Sequence, residues 1–207
     1  MKVISFINPK GGSGKTTSVI NVATCIARTG VSVAVVDTDP QMSLANWNSG
    51  GKAEFDVFTA ESEKDVYRVR KDLSTYGYVI IDGAGSLSVI TSAAVMVSDL
   101  VIIPVSPSPL DFSASGSVVD VLEAQAFSRP VEARFLITRK VNNASMLDLL
   151  KSSIESTGIA RFRTAIGNRQ TYVKTLVDGD TVFASKDSAA KGEIEVLTKE
   201  IIELLTK

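Results

Sequence analysis

The run Val3-Ile4-Ser5-Phe6-Ile7-Asn8-Pro9-Lys10-Gly11-Gly12-Ser13-Gly14-Lys15-Thr16-Thr17 decides how the rest of the chain is read. It opens as an apolar stretch of strand length, is stopped by Asn8-Pro9, and passes into helical spacing at Thr16. Between strand and helix, Gly11, Gly12 and Gly14 let backbone N–H groups turn inward as an anion cradle at a helix N-terminus, where unpaired amides and the helix dipole favour phosphate. Residues Lys10, Gly11, Gly12, Ser13, Gly14, Lys15, Thr16 and Thr17 are therefore the candidate phosphate site. Lys15 is placed to reach the outer phosphates of a nucleotide and the Thr16 hydroxyl to ligate Mg2+. The common G-x-x-x-x-G-K-[ST] pattern fails, because Pro9 occupies its first glycine position. The variant Lys-Gly-Gly-x-Gly-Lys-Thr, with its additional Lys10, fits in full.

Outward from this loop, short apolar runs alternate with stretches of helical period. Residues 3–8, 31–37, 78–82, 100–104 and 133–138 read as strands, rich in Val and Ile and apolar on both faces, as in a parallel sheet covered by helices. Residues 16–29, 63–73, 86–97, 110–127, 145–156 and 188–206 carry helical spacing. The expected fold class is α/β: three layers, with a mostly parallel, twisted central sheet covered by helices on both faces. Residues 104–109 hold three prolines and read as a rigid loop leaving a strand. Residues 1–207 are expected to form a single domain, with no helix-turn-helix unit ahead of the loop. At this length one core buries about 70% of the unfolded chain's surface.

Composition narrows the chemistry. The 207 residues include no histidine and one cysteine, Cys25, so His-based acid/base catalysis, Ser-His-Asp and Cys-His systems, Cys/His zinc sites and an internal disulfide are all excluded. Phosphoryl transfer needs none of these; lysines, carboxylates, backbone amides and Mg2+ suffice. Nothing resembles a signal-peptide core, and the apolar runs fall far below the ~20 residues of a membrane span, which predicts a cytoplasmic protein.

Acidic residues end two of the strands. Asp37-Thr38-Asp39-Pro40 closes one and Asp82-Gly83-Ala84-Gly85 the other, at the rim where open parallel sheets bind ligands. Asp82 fits a residue that holds Mg2+ through water, with a strand-end turn as its plain alternative. Asp37 and Asp39 point the same way in an extended segment; Asp39 before Pro40 is also a helix-cap pattern. Charge is uneven too. Between residues 134 and 174 there are eight basic residues against Asp148 and Glu155, within a net charge of −1. Arg161, Arg163, Arg169 and Lys174 are the candidates for a sequence-independent DNA-backbone surface, solvated helix faces being the milder reading.

On the strength of Lys10 within this loop, the chain resembles the ParA/MinD superfamily of deviant Walker A ATPases over nearly its full length, most closely the small ParF-type plasmid-partition members. The resemblance implies a P-loop NTPase fold, ATP/ADP and Mg2+ as cofactors, and weak intrinsic ATP hydrolysis. It implies an ATP-dependent homodimer, able to extend to polymers, in which Lys10 contacts the partner subunit's nucleotide. Lys10, Lys15 and Asp39 become the catalytic candidates, with Asp39 orienting the attacking water, and Thr16, Asp37 and Asp82 the metal candidates. Pro107, in the loop 104–111, and Arg139 are expected beside the base and ribose; the absence of an Asn-Lys-x-Asp motif favours ATP over GTP. The implied role is DNA segregation on the nucleoid with a centromere-binding adaptor of the ParG/ParB type. No arginine finger is evident in the chain, so a partner is expected to supply one. The alternatives are positioning of another cargo and a metabolic ligase resembling dethiobiotin synthetase. Nitrogenase iron protein needs two cluster cysteines and is excluded. The tail from Gly192 to Lys207 is acidic, with Ile194, Leu197 and Ile201 on one face, which predicts a docked core helix and no membrane binding.

Overall fold

The computed structural model describes residues 1–141 and 143–206. Lys207, counted in the charge of the tail, lies outside the described residues. In chain order the elements are β1 (Lys2–Phe6), α1 (Lys15–Ala27), β2 (Val33–Asp37), α2 (Ser43–Trp47), β3 (Asp56–Thr59), α3 (Glu63–Asp72), β4 (Tyr78–Asp82), α4 (Val89–Val97), β5 (Leu100–Val105), α5 (Pro109–Ala114), α6 (Gly116–Ala126), β6 (Glu132–Ile137), α7 (Ala144–Ser156), α8 (Gln170–Val177) and α9 (Ser188–Leu205). The six strands pair in the order β3-β2-β4-β1-β5-β6, every pair parallel. The expected three-layer α/β fold is the one observed.

The strands are apolar on both faces because each face meets its own helix layer. Val3, Ala34, Val36, Val79, Ile81, Val101, Ile103 and Phe135 point into one core, which they share with α3, α4, α6 and α7. Ile4, Phe6, Val35, Ile80, Leu100, Ile102 and Leu136 point into the other, with α1, α8 and α9. The alternation of neighbours such as Val3 and Ile4 between the two cores is the period-two geometry of a strand. α9 buries Ala190, Ile194, Leu197, Ile201 and Leu205, so the tail docks as expected. No helix among the described residues is long and apolar enough to cross a membrane.

Several features depart from the sequence reading, among them the short helix α2, which carries no helical spacing long enough to read. The edge strand β3 escapes notice because it is four residues long and mostly exposed, with no apolar period to mark it. The helix expected over 110–127 is two helices. At Ser115 the backbone N–H bonds the Phe112 carbonyl at 2.9 Å and the hydroxyl returns to that carbonyl at 2.6 Å, tightening the turn just before Gly116. α8, with only Tyr172 and Thr175 buried, shows too weak a stripe to be read as helix from sequence.

Candidate functional site

The phosphate loop is held by two side chains, Asn8 just after β1 and Thr138 just after β6. Asn8, fully buried, accepts from the Lys10 amide at 2.8 Å and donates to the Pro104 carbonyl at 2.7 Å, tying the loop entry to the end of β5. The Thr138 hydroxyl donates to the Ser13 carbonyl at 2.7 Å and ties the loop floor to the end of β6. Gly14 turns the chain into α1 with φ +89°, and a Cβ there would sit 3.3 Å from Thr138, so the position requires glycine on both counts. Lys10, Gly11 and Gly12 form an exposed rim over a floor of buried Ser13 and Lys15. Lys15 Nζ donates to the Lys10 carbonyl at 3.2 Å. Burial pulls the Lys15 ammonium below its usual range, and Asp82 and Asp39 pull it back.

The two acidic strand ends are neighbours, Asp37 of β2 lying opposite Asp82 of β4 in register. Their environments differ sharply. Asp37 Oδ1 accepts from the Asp39 amide at 3.0 Å, and Oδ2 accepts from the amides of Leu44 and Ala45 at 3.0 and 3.2 Å. It is thus engaged in capping α2, a helix reached through Met42 at a left-handed φ of 51°. Asp39, half-buried, accepts from the Gln41 amide at 2.9 Å. Asp82 is 1% exposed and neither of its carboxyl oxygens has a hydrogen-bond partner. Burial pushes the Asp82 carboxyl up to about 7; Thr16 and Lys15 oppose this, and Asp37 and Asp39 add to it. A buried, unpartnered carboxyl beside Thr16 fits a divalent cation. Among the described residues no group of three or more acidic ligands gathers to hold one unaided, so the donor set suits a cation whose shell is completed by phosphate oxygens and water.

With the carboxylates on β2 and β4, the other side of β1, toward β5 and β6, carries a separate feature. A groove borders the start of α1 there, between Gly14, Thr17 and Ser18 on one side and Thr138, Arg139 and residues 166–169 on the other. Residues 166–169 run alongside the end of β6: the Lys140 amide donates to the Ile166 carbonyl and the Asn168 amide to the Lys140 carbonyl, both at 2.9 Å. Sequence reasoning missed this wall, whose one local signal is the turn pair Gly167-Asn168. Arg139 has a left-handed φ of 48°, and its guanidinium lies against the loop, Nη2 being 3.4 Å from where a Gly12 Cβ would stand. Pro107 does not line this groove. It lines a separate apolar cavity of about 280 Å3 with Pro109, Phe112, Met146 and Leu149, against the opposite helix layer. The half-exposed Lys10 ammonium lies 3.9 Å from Asp111 of its own chain.

Half of the basic residues of the 134–174 stretch form ion pairs: Arg134, Lys151, Arg163 and Arg169. Arg169 meets Glu193 at 2.8 Å and Asp187 at 3.9 Å, and Arg163 approaches Glu200 at 3.7 Å. Arg161 donates to the Phe162 carbonyl at 3.3 Å, and Lys174 is exposed on α8. The local charge excess is therefore partly cancelled by α9, the acidic element packed beside it.

A phosphate cradle with two lysines, opposite a pair of acidic strand ends, defines a P-loop nucleotide-binding protein. Residues 4–182 match the CobQ/CobB/MinD/ParA nucleotide binding domain, and the chain belongs to that family. It is 28% identical over 207 residues to the "Maintenance of carboxysome distribution protein A" of Halothiobacillus neapolitanus, covering 96% of this chain and 95% of that one. It is 30% identical over 159 residues to "Protein ParA" of Rhizobium radiobacter, covering 75% and 68%. Among solved structures, apo McdA from Cyanthece superposes with a TM-score of 0.81 at 16% identity, covering 98% of this chain and 99% of the other. Cobyrinic acid a,c-diamide synthase from Mycobacterium smegmatis, with bound ATP analog and magnesium, gives 0.80 at 17%, covering 98% and 94%. Those two likenesses establish the fold.

Proposed function

We propose that the chain is an ATP-dependent partition ATPase that segregates DNA, working through a dimer that closes on nucleotide. The observation that carries this reading is the opposed placement of the two loop lysines. Lys15 is 7% exposed and faces the cradle, whereas the Lys10 side chain is 48% exposed on the rim. One buried cation suffices for the chain's own nucleotide; an outward one beside it is placed to serve phosphates of a second subunit.

In this reading the amides of residues 11–16 and the Lys15 ammonium bind the β- and γ-phosphates, and Asp39 orients a water toward the γ-phosphorus. The water oxygen bonds to phosphorus, the bridging oxygen leaves with ADP, and the water's proton passes to Asp39 or to the released phosphate. Thr16 would hold Mg2+ directly and Asp82 through water, with Asp37 nearby; bound there, the cation neutralises charge on the phosphate oxygens. Arg139 adds a cation beside the cradle from the chain itself, although sequence reading placed it only near the base. An adaptor protein accelerates hydrolysis and resets the dimer, and exposed Lys174 with the partly paired Arg161 and Arg163 contributes a non-specific DNA surface.

A second reading keeps the switch and changes the cargo, as the name of the full-length carboxysome-distribution relative invites. A third, a metabolic synthetase, is supported by the fold shared with cobyrinic acid a,c-diamide synthase. ATPase rate and light scattering of wild type, Lys15→Ala and Asp39→Ala, with and without non-specific DNA and candidate adaptors, separate them. Partition predicts activation by DNA plus a centromere-binding adaptor. Activation by a cargo-body adaptor instead supports positioning of that body, and indifference to DNA and to every adaptor supports the synthetase.

A further inference from the structure

The wall of the nucleoside groove is anchored by a residue far from the phosphate loop in sequence. Glu193 lies on α9, in the tail that is acidic in sequence. In the structure its carboxylate gathers donors from the segment that lines the groove. Oε1 accepts from Arg169 Nε at 3.1 Å and Nη2 at 2.8 Å, and Oε2 accepts from the Gly167 amide at 3.1 Å. The Tyr172 hydroxyl lies 3.0 Å from Oε2 and 3.2 Å from the Ala190 carbonyl, free to donate to either. Gly167, Arg169 and Tyr172 all line the groove. A neighbouring latch acts on the same segment: Asp187 caps α9 through the Ala190 amide at 3.0 Å, accepts from the Thr171 hydroxyl at 2.8 Å, and lies 3.9 Å from Arg169.

The spacing leaves no slack. A Cβ at Gly167 would fall 3.0 Å from Glu193 Oε1 and 3.2 Å from Arg169 Nε, so the backbone is drawn tight against the carboxylate. The Glu193 side chain is 19% exposed, where charge-assisted hydrogen bonds are screened less than at the surface. Fixing residues 166–169 in advance removes an ordering cost that a nucleoside would otherwise meet on binding. The cradle has its own ties, through Asn8 and Thr138, which do not include this contact.

We propose that Glu193 is a positioning residue for nucleoside binding: by clamping Gly167, Arg169 and Tyr172 to α9, it holds the groove wall in place and links base occupancy to the C-terminal helix. This rests on the nucleotide reading of the groove. Two probes divide the site: ADP engages cradle and groove, whereas inorganic tripolyphosphate engages the cradle alone. Calorimetric titration with each, in Mg2+ buffer, on the wild type, Glu193→Ala and Tyr172→Phe is the test. The expected result is ADP binding weakened about tenfold in Glu193→Ala and roughly twofold in Tyr172→Phe, with tripolyphosphate binding within about twofold of wild type in both. Should Glu193→Ala fail to fold by circular dichroism, Glu193→Gln serves. It keeps the shape but brings an amide NH2 against the N–H donors, and the same separation of the two probes is expected. ADP and tripolyphosphate weakening in parallel would overturn the proposal, as would neither changing. Failure of the wild type to bind ADP would instead overturn the nucleotide reading itself.

Discussion

Asp82 is the residue whose chemistry is most exposed to test. Burial pushes its carboxyl from an ordinary value of 3.8 up to about 7 in the folded chain. A raised carboxyl pKa means the native state prefers the protonated form, so the buried charge costs no stability below the unfolded value. The cost grows as pH rises from 3.8 to about 7 and is complete above that. Asp82→Asn is expected to raise the Tm of the nucleotide-free protein by several degrees at about pH 8, an advantage that vanishes near pH 4. Thermal melts at the two pH values check this, and an equal effect at both would contradict it. Asp37 carries the opposite expectation. With three backbone amides on its carboxylate, Asp37→Ala should free α2, and hydrogen exchange at Leu44 and Ala45 should quicken by about tenfold or more while β2 stays protected. At this scale Lys15, Thr16 and the acidic strand ends were legible because each follows a strand by a fixed spacing. The contrast between Asp37 and Asp82 was not, since both read as an acid ending an apolar strand. Only the amides of α2, folded back onto Asp37, separate the two.

Among the elements, α9 does two jobs that its sequence shows unequally. Its apolar stripe was legible as a docked helix, and Leu197, fully buried against the core it shares with α1, reports on that packing. Leu197→Ala is expected to lower unfolding stability by about 2–5 kcal/mol, read from urea denaturation, through lost burial and the cavity left behind. A loss below about 1 kcal/mol would mean that α9 is not docked as described. The hold of α9 on residues 166–169 was invisible in sequence, because it joins a helix face to a stretch with no period and no motif. β3 and α8 were missed for a related reason, being short or mostly exposed. Pro107 leaves the sheet at the same edge as Arg139 but turns toward the other helix layer, which no spacing rule reveals.

For the whole molecule the central claim is that nucleotide joins two copies of the chain and that Lys10 makes the join selective for ATP. Within one chain Lys10 rests 3.9 Å from Asp111, a long and partly exposed pair worth about 1 kcal/mol and readily given up for a phosphate. Lys10→Ala should therefore bind ADP within about twofold of wild type, a difference small on the affinity scale, while failing to dimerise with ATP. The measurement that bears most directly on the account is sedimentation of an Asp39→Ala variant, expected to hydrolyse ATP slowly, with Mg2+ and either ADP or ATP. The chain should sediment at its 22.0 kDa mass with ADP and at twice that mass with ATP, and adding Lys10→Ala should return it to the single mass. A single mass at saturating ATP, or a dimer that forms equally with ADP or with Lys10 removed, would contradict it.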